Sequence, residues 1–316
     1  MGDLGKTLVI GGTGHIGTFL TRLLVEAGYE VDVMTSGHQP PPEGDIYRQV
    51  KYFTLSYADG LADGSFLAWL REERPRVVVD ILAGDLGAVW EAARQAGVAQ
   101  VVACGSVWMW GRPKVVPTPE SPQTPCPFEG YAQRLAELFQ TLERSRAVGP
   151  SLSAIMPPNI CGPGKIPLEA SGGRSLQVHQ AHRRGETVIL PAPGTNLIGP
   201  CDAEDVARGF LCAIQHPEQA AGEIFNVGSA YALTSERFVG AYAELYGTSI
   251  PIDYVSPEVY AREVSPELGS NFHFLEHMCP DITKVSTRLS YHPLYTPEQT
   301  LERAVRWMFD TGVLPR

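Results

Sequence analysis

Gly11, Gly14 and Gly17 stand three residues apart in the run Val9-Ile10-Gly11-Gly12-Thr13-Gly14-His15-Ile16-Gly17. Glycines at this spacing, after an apolar stretch and before an amphipathic one, suit a tight turn whose backbone N–H groups meet an anion. The helix that follows adds the positive end of its dipole. The chemistry is a pyrophosphate grip, with Gly11, Thr13, Gly14, His15, Ile16 and Gly17 around the phosphates of a nicotinamide dinucleotide. In such a unit the end of the second strand meets the adenosine ribose, and an acid there selects NAD. Here the residues are Thr35-Ser36-Gly37-His38. They offer no carboxylate for ribose hydroxyls and no arginine for a 2′-phosphate. Small hydroxyls beside a histidine lean the expectation to NADP, with NAD held without the usual acid as the alternative.

Three other groups of residues invite chemistry. His273-Phe274-Leu275-Glu276-His277 has the H-x-x-E-H spelling of an inverted zinc-protease motif, whose histidines would share a helix face. No third ligand is evident, so the segment reads as pocket lining or surface, and no metal is expected. His179 and His182, one turn apart among glutamine and arginine, read as solvated. Asp80 is an odd charge in the apolar run 76–83 and reads as a strand-end residue facing a helix N-terminus, not a catalyst. The six cysteines are scattered without a CxxC, which suits reduced thiols in cytoplasm.

These residues need a frame. Apolar runs at 7–10, 30–34, 76–83, 100–104 and 152–156 alternate with helical periodicity at 16–27, 86–96 and 131–147. Strands separated by helices imply an α/β fold, a Rossmann-type doubly wound parallel sheet. Six prolines between Pro113 and Pro127 make a stiff loop. Beyond the Gly/Pro-rich crossover 159–167, helices at 175–184, 203–215, 235–246 and 297–309 mix with short strands such as 224–227. The expected organisation is a dinucleotide-binding domain over 1–160, with returning segments near 200–228, and a smaller C-terminal substrate-binding lobe mainly over 161–316. No apolar run reaches the length of a membrane span. The first residues, Met1-Gly2-Asp3, lead almost directly into a strand, leaving no room for a signal peptide. The net charge of −10 would repel a phosphate backbone, so nucleic acid is not an expected partner. The expectation is a cytoplasmic protein acting on a small molecule.

Taken in order, several fragments resemble the extended, or atypical, short-chain dehydrogenase/reductase group, which includes NAD-dependent sugar-nucleotide epimerases and dehydratases. GGTGHIG is similar to TGGTGFIG, and the stretch from Cys104 to Gly111 (CGSVWMWG) to the serine strand SSSxxVYG. Residues 157–164 (PPNICGPG) resemble RPPNVYGPG, Asp202–Ala207 HVDDVA, and Gly222–Gly228 GEVFNVG. Asp281-Ile282-Thr283-Lys284 with Leu289–Pro293 resembles DxSKARRxLGYxP. The resemblance covers almost the whole chain. It implies that Ser106 hydrogen-bonds the reacting oxygen, that Tyr131 carries the proton, and that Pro157 lies beside the nicotinamide carboxamide. Asn159 would face the substrate. Ser56 would fall at the adenine and Ala83 just after the fourth strand. Helices 86–96 and 131–147 resemble the pair through which group members form homodimers.

Two departures from the group's pattern matter. Its helix signature is Tyr-x-x-x-Lys, but this chain reads Tyr131-Ala132-Gln133-Arg134-Leu135. The lysine grips the nicotinamide ribose and lowers the tyrosine pKa; an unassisted tyrosine titrates near about 10. Arg134, one residue early, stays on the tyrosine's side of the helix and carries a permanent charge that can replace part of that function. Ile198 sits where many members place an arginine on a sugar-nucleotide diphosphate, which argues against a UDP-sugar. Trp108, Met109 and Trp110 suggest a stacking wall near Ser106 for a sugar ring or glycoside, or else core packing. Two functions remain open. One is an NAD(P)-dependent oxidoreductase or epimerase/dehydratase acting on a hydroxyl-bearing carbon. The other is a catalytically degenerate NAD(P)-binding sensor or scaffold that kept the grip and lost the lysine.

Overall fold

The computed structural model of the chain describes residues 4–315; Met1-Gly2-Asp3, on which the expected direct entry into a strand rests, lie outside them. Six strands, β1 (Lys6–Ile10), β2 (Glu30–Thr35), β3 (Lys51–Thr54), β4 (Val77–Asp80), β5 (Gln100–Cys104) and β6 (Ser151–Met156), join Ile224–Asn226 in one sheet. The order is Ile224–Asn226, β6, β5, β4, β1, β2, β3, and every pair is parallel. This is the α/β, Rossmann-type doubly wound sheet expected from the sequence. Valine-rich strands such as β4 and β5 are buried along their whole length because helices cover both faces. The His15–Glu26 and Ala203–Gln215 helices bury Leu20, Leu24, Val206 and Phe210 on one face. Leu86–Ala96 and Glu129–Ala147 bury Val89, Trp90, Leu138 and Leu142 on the other. The chain reverses its direction of winding between β1 and β4, which opens a crevice above their carboxyl ends.

Three local differences from the sequence reading have physical causes. The fourth strand stops at Asp80, not 83, because its carboxylate accepts the N–H of Leu82 at 3.1 Å and of Ala83 at 2.8 Å. Ala83 takes a positive φ of 43° there, so the chain turns out of the sheet. The crossover after β6 contains a strand, Asn159–Cys161, paired with Pro200–Asp202. His179 and His182 are buried rather than solvated. They pack on Tyr242, and His179 bonds the carbonyl of Pro167 and the hydroxyl of Tyr246. A third apolar cluster, with Leu190, Phe238, Tyr242, Phe274 and Met308, forms the centre of the C-terminal half. Among the described residues no helix is long and apolar enough to cross a membrane.

Candidate active site

The glycine run forms the turn between β1 and the His15–Glu26 helix. Gly14 is that helix's N-cap, with no side-chain cap and no acid in the first turn, so the helix's first N–H groups are left for an external anion. Gly11 has φ +83°. A Cβ on Gly17 would lie 2.2 Å from the Gly11 carbonyl oxygen and 2.6 Å from Gly12 Cα, so only glycine lets helix and turn approach this closely. His15 bonds the Pro163 carbonyl at 2.9 Å and ties the turn to the segment after Asn159–Cys161. Burial, with the charges of Arg174 and Lys165, pushes its imidazole down to about 4, so it is neutral at pH 7.

Two spaces meet at this turn, and both touch Gly11, Gly14 and Leu82. The first, about 310 Å³, is lined by Thr13, Thr35, Ser36, His38, Ser56 and Tyr57 among others, with no Lys, Arg, Asp or Glu side chain on its wall. Thr13 and Thr35 share a hydroxyl–hydroxyl bond of 3.1 Å, and Ser36 bonds His38 at 2.6 Å. Tyr57, a residue that the sequence reading passed over, accepts the N–H groups of Gly84 and Asp85. The shape and neutral polarity of this space suit an adenosine.

The second space, about 410 Å³, is lined by His15, Ile16, Ser106, Trp108, Tyr131, Pro157 and Asn159. Ser106 follows β5 and accepts the N–H of Trp108 at 3.3 Å. Tyr131 is the third residue of the Glu129–Ala147 helix. Trp108 stacks on Phe128 and meets Tyr131, Phe272 and His273, making an aromatic wall. Of the two readings open for them, wall or core, Met109 and Trp110 take the second and are buried in the core; the Trp110 indole donates to Asn226 at 2.9 Å. Asn159 is 3% exposed, and its amide nitrogen has no protein partner. An orphaned buried donor beside a cleft is the mark of a ligand contact.

Three expected site residues do not line either space. Gly17 acts through the close approach already described. Ala83 and Arg134 border a small void of about 10 Å³ behind Cys104 and Gly105. The Arg134 guanidinium donates to Cys104 O at 3.3 Å and, weakly, to Leu82 O at 3.5 Å, and lies 5.7 Å from the Tyr131 ring centroid. Leu135, where the group has lysine, is packed in the core.

The cleft also holds residues that the sequence reading missed. Lys165 and Arg174 line it together with Tyr131. Arg174 donates to the carbonyls of Ile160 and Ile166, and among the described residues no carboxylate pairs with it. Desolvation and the nearby Arg174 push the Lys165 ammonium below its ordinary value. His273 projects from the Leu268–Leu275 helix, and burial, with Arg174, holds its imidazole near about 3. That helix ends before Glu276, which is extended and pairs with Arg112. His277 bonds the Leu197 amide, so the two histidines do not share a helix face. No signal in the sequence marks Lys165 or Arg174, since each lies in irregular chain that only folding brings to the cleft. Several of the fragments that carry the resemblance are architectural. Asp202 pairs with Arg303, Asn226 donates to Thr118 O, and Lys284 donates to Ile224 O.

Comparison with known proteins agrees with this frame. The model of the NAD dependent epimerase/dehydratase family matches residues 7–89 and 87–228. A UDP-glucose 4-epimerase of Streptomyces lividans is 28% identical over 282 residues, 78% of this chain and 83% of that protein. A dTDP-6-deoxy-L-talose 4-dehydrogenase (NAD(P)(+)) of Kitasatospora kifunensis is 25% identical over 325 residues, 95% of this chain and 93% of that protein. Among solved structures, the UDP-glucose-4-epimerase of Stenotrophomonas maltophila, with bound NAD and formylated UDP-arabinopyranose, superposes with a TM-score of 0.76 at 15% identity. That match covers 98% of this chain and all of the other.

Proposed function

The chain belongs to the NAD dependent epimerase/dehydratase family, within the extended short-chain dehydrogenases, and from that premise we propose that it oxidises, reduces or inverts a hydroxyl-bearing carbon of a sugar carrying an anionic group. The observation that carries this reading is one cleft shared by an uncapped helix end, Ser106, Tyr131, Pro157 and Asn159. A nicotinamide ring held there supplies the acceptance and return of hydride at the carbinol carbon. The chain supplies the rest. The amides at His15 and Ile16 hold the pyrophosphate, while the Gly14 N–H closes the turn onto the Gly11 carbonyl; Thr13, Thr35, Ser36 and Ser56 hold the adenosine. The Tyr131 hydroxyl exchanges the proton with the substrate hydroxyl, and Ser106 donates to the same oxygen. Trp108 backs the sugar ring. Residues 1–160, with the returning stretch 200–228, carry the cofactor, and residues beyond 161 mainly the substrate.

The adenosine wall favours NAD. A 2′-phosphate would enter a space with hydroxyls and His38 but no lysine or arginine, and so would lose its charge-assisted partner. The lean to NADP drawn from Thr35-Ser36-Gly37-His38 thus finds no cation on the wall to support it. The objection to a UDP-sugar also falls away. Ile198 is buried and cannot hold a diphosphate, but Lys165, Arg174 and the Asn159 amide offer an anion other partners. Among the described residues lining that cleft none is a carboxylate. Redox or inversion at one carbinol needs a single proton carrier, whereas elimination needs a second group for the neighbouring carbon, so the wall favours the former.

The test is Tyr131→Phe, with NADH affinity read by fluorescence and turnover read on UDP-glucose and UDP-galactose. Affinity should hold while turnover falls by about 10²–10⁴-fold. Undiminished turnover refutes the assignment of the proton carrier. A wild-type protein that binds NADH but turns over no sugar nucleotide or free sugar would favour the sensor reading.

A further inference from the structure

Asp80 is fully buried at the carboxyl end of β4, directly beneath the wall of the cofactor cleft. One of its oxygens accepts the N–H groups of Leu82 and Ala83; the other has no partner. Leu82 lines both halves of the cleft, and its carbonyl accepts from Arg134. The Arg134 Nε is likewise buried and unpartnered. A carboxylate and a guanidinium thus stand in one water-poor region, each with an unused polar atom, joined through a single turn of backbone. A buried charge is tolerated only where another charge or several hydrogen bonds balance it. Arg134 is the cation that acts on Asp80, opposed by Glu137 one turn further along the same helix. Glu137 itself accepts the Gly87 N–H. The other titratable groups facing Asp80 are the Tyr57 phenol and the buried Cys104 thiol.

We propose that Asp80 is a positioning residue for the reaction, an internal counter-ion that fixes the 81–84 turn under the cofactor and holds the Arg134 guanidinium across the ends of β4 and β5 beside Tyr131. This rests on the reading of Tyr131 as proton carrier and extends it to a pair that takes the place of the missing lysine by a different geometry. The lysine's position points along the helix at i+4; Arg134, at i+3, reaches behind the cleft instead. From there its bond to Cys104 O sets the strand end that presents Ser106. Its charge under the Tyr131 ring, and its bond to Leu82 O, set the cofactor wall. Neither function needs contact with a ligand, which is why Arg134 lies outside the cleft lining.

The experiment compares wild type, Asp80→Asn, Arg134→Leu and the double variant. Asparagine keeps an acceptor for the two amides and removes the charge. Three readouts are taken: turnover of UDP-glucose against pH, NADH affinity, and the Asp80 carboxyl followed by carbon-13 NMR titration. Burial pushes that carboxyl up to about 6, so wild-type kcat should fall as pH drops through that value. In Asp80→Asn the limb should vanish and kcat should fall by about 10²-fold, with KM and NADH affinity changed by less than about threefold. Arg134→Leu should move the carboxyl titration upward, and the double variant should be no slower than the slower single one. An unmoved carboxyl titration in Arg134→Leu, or wild-type kcat with its acid limb in Asp80→Asn, overturns the proposal. The NMR arm needs neither substrate nor change at the buried carboxylate, so it decides the pairing even where Asp80→Asn folds poorly. Full turnover in Tyr131→Phe would instead overturn the proton-carrier reading and leave the charge pairing standing on the NMR result.

Discussion

Replacing Gly17 with alanine should disable the cofactor grip while leaving a folded protein. The added Cβ would sit 2.2 Å from the Gly11 carbonyl oxygen and 2.6 Å from Gly12 Cα. Both obstacles are backbone, so no side chain can swing aside. Relief requires the His15–Glu26 helix to withdraw by roughly 1 Å to reach ordinary contact. A phosphate–amide bond of about 2.9 Å would then open to about 3.9 Å, beyond hydrogen-bonding range. Two such charge-assisted bonds are worth about 1.5–3 kcal/mol each, so NADH affinity should fall by about 10²–10⁴-fold. The accompanying overpacking should destabilise the fold by about 1–3 kcal/mol. Fluorescence titration with NADH, run beside thermal unfolding, measures both. Gly269→Ala is the control: it lies within the Leu268–Leu275 helix and its Cβ meets nothing within 4 Å. A folded Gly17→Ala protein that binds NADH within about threefold of wild type would refute the claim that this helix end carries the pyrophosphate.

Three further outcomes follow from the same geometry. Arg174→Ala should raise KM for UDP-glucose by about 10–10²-fold with little change in NADH affinity; an equal loss for NADH would assign that cation to the cofactor. Calorimetric titration should find NAD bound at least about tenfold more tightly than NADP, and His38→Arg should narrow the gap. His179 and His182 are held near about 4 by burial against about 6.5 unfolded. Their stability contribution is present above the unfolded value and is lost as pH falls through about 4, at up to about 1.4 kcal/mol per pH unit for each. Urea unfolding between these pH values should show that slope, and His179→Gln should reduce it.

What could be read in the chain was what is local. The glycine spacing marks its own turn because Gly11, Gly14 and Gly17 act within seven residues of one another. Buried parallel strands such as Val77–Asp80 identify themselves by composition. β3, Lys51–Thr54, was not legible: an edge strand, half exposed, needs no apolar run. His179 and His182 misled because polarity alone does not reveal that Tyr242 and Tyr246 come from sixty residues away to bury them. The cleft's cations were invisible for the same reason. Lys165 and Arg174 lie in irregular chain, and only the pairing of Asn159–Cys161 with Pro200–Asp202 fixes where that chain runs. Trp108 and Trp110, two residues apart, could not be divided between wall and core by sequence; the short helix Val107–Trp110 turns one ring to the cleft and the other to the core.

The displaced cation is where sequence and geometry bear most directly on each other. Successive residues on a helix are turned by about 100°, so moving a charge from i+4 to i+3 changes its destination more than its distance. Leu135 fills the core where a lysine would have had to emerge. Arg134, longer and forked, spans the gap to two carbonyls, Leu82 O and Cys104 O, at the tips of adjacent strands. A lysine ammonium is a compact point charge and a guanidinium a planar set of donors; the first suits a grip on a single ribose, the second a clamp across two strand ends. The ribose contact must then come from elsewhere on the wall, and the arginine's charge requires an anion of its own in the interior. Asp80 is buried within the same turn of chain that Arg134 clamps, which makes the two changes one structural solution rather than a loss and an unrelated oddity.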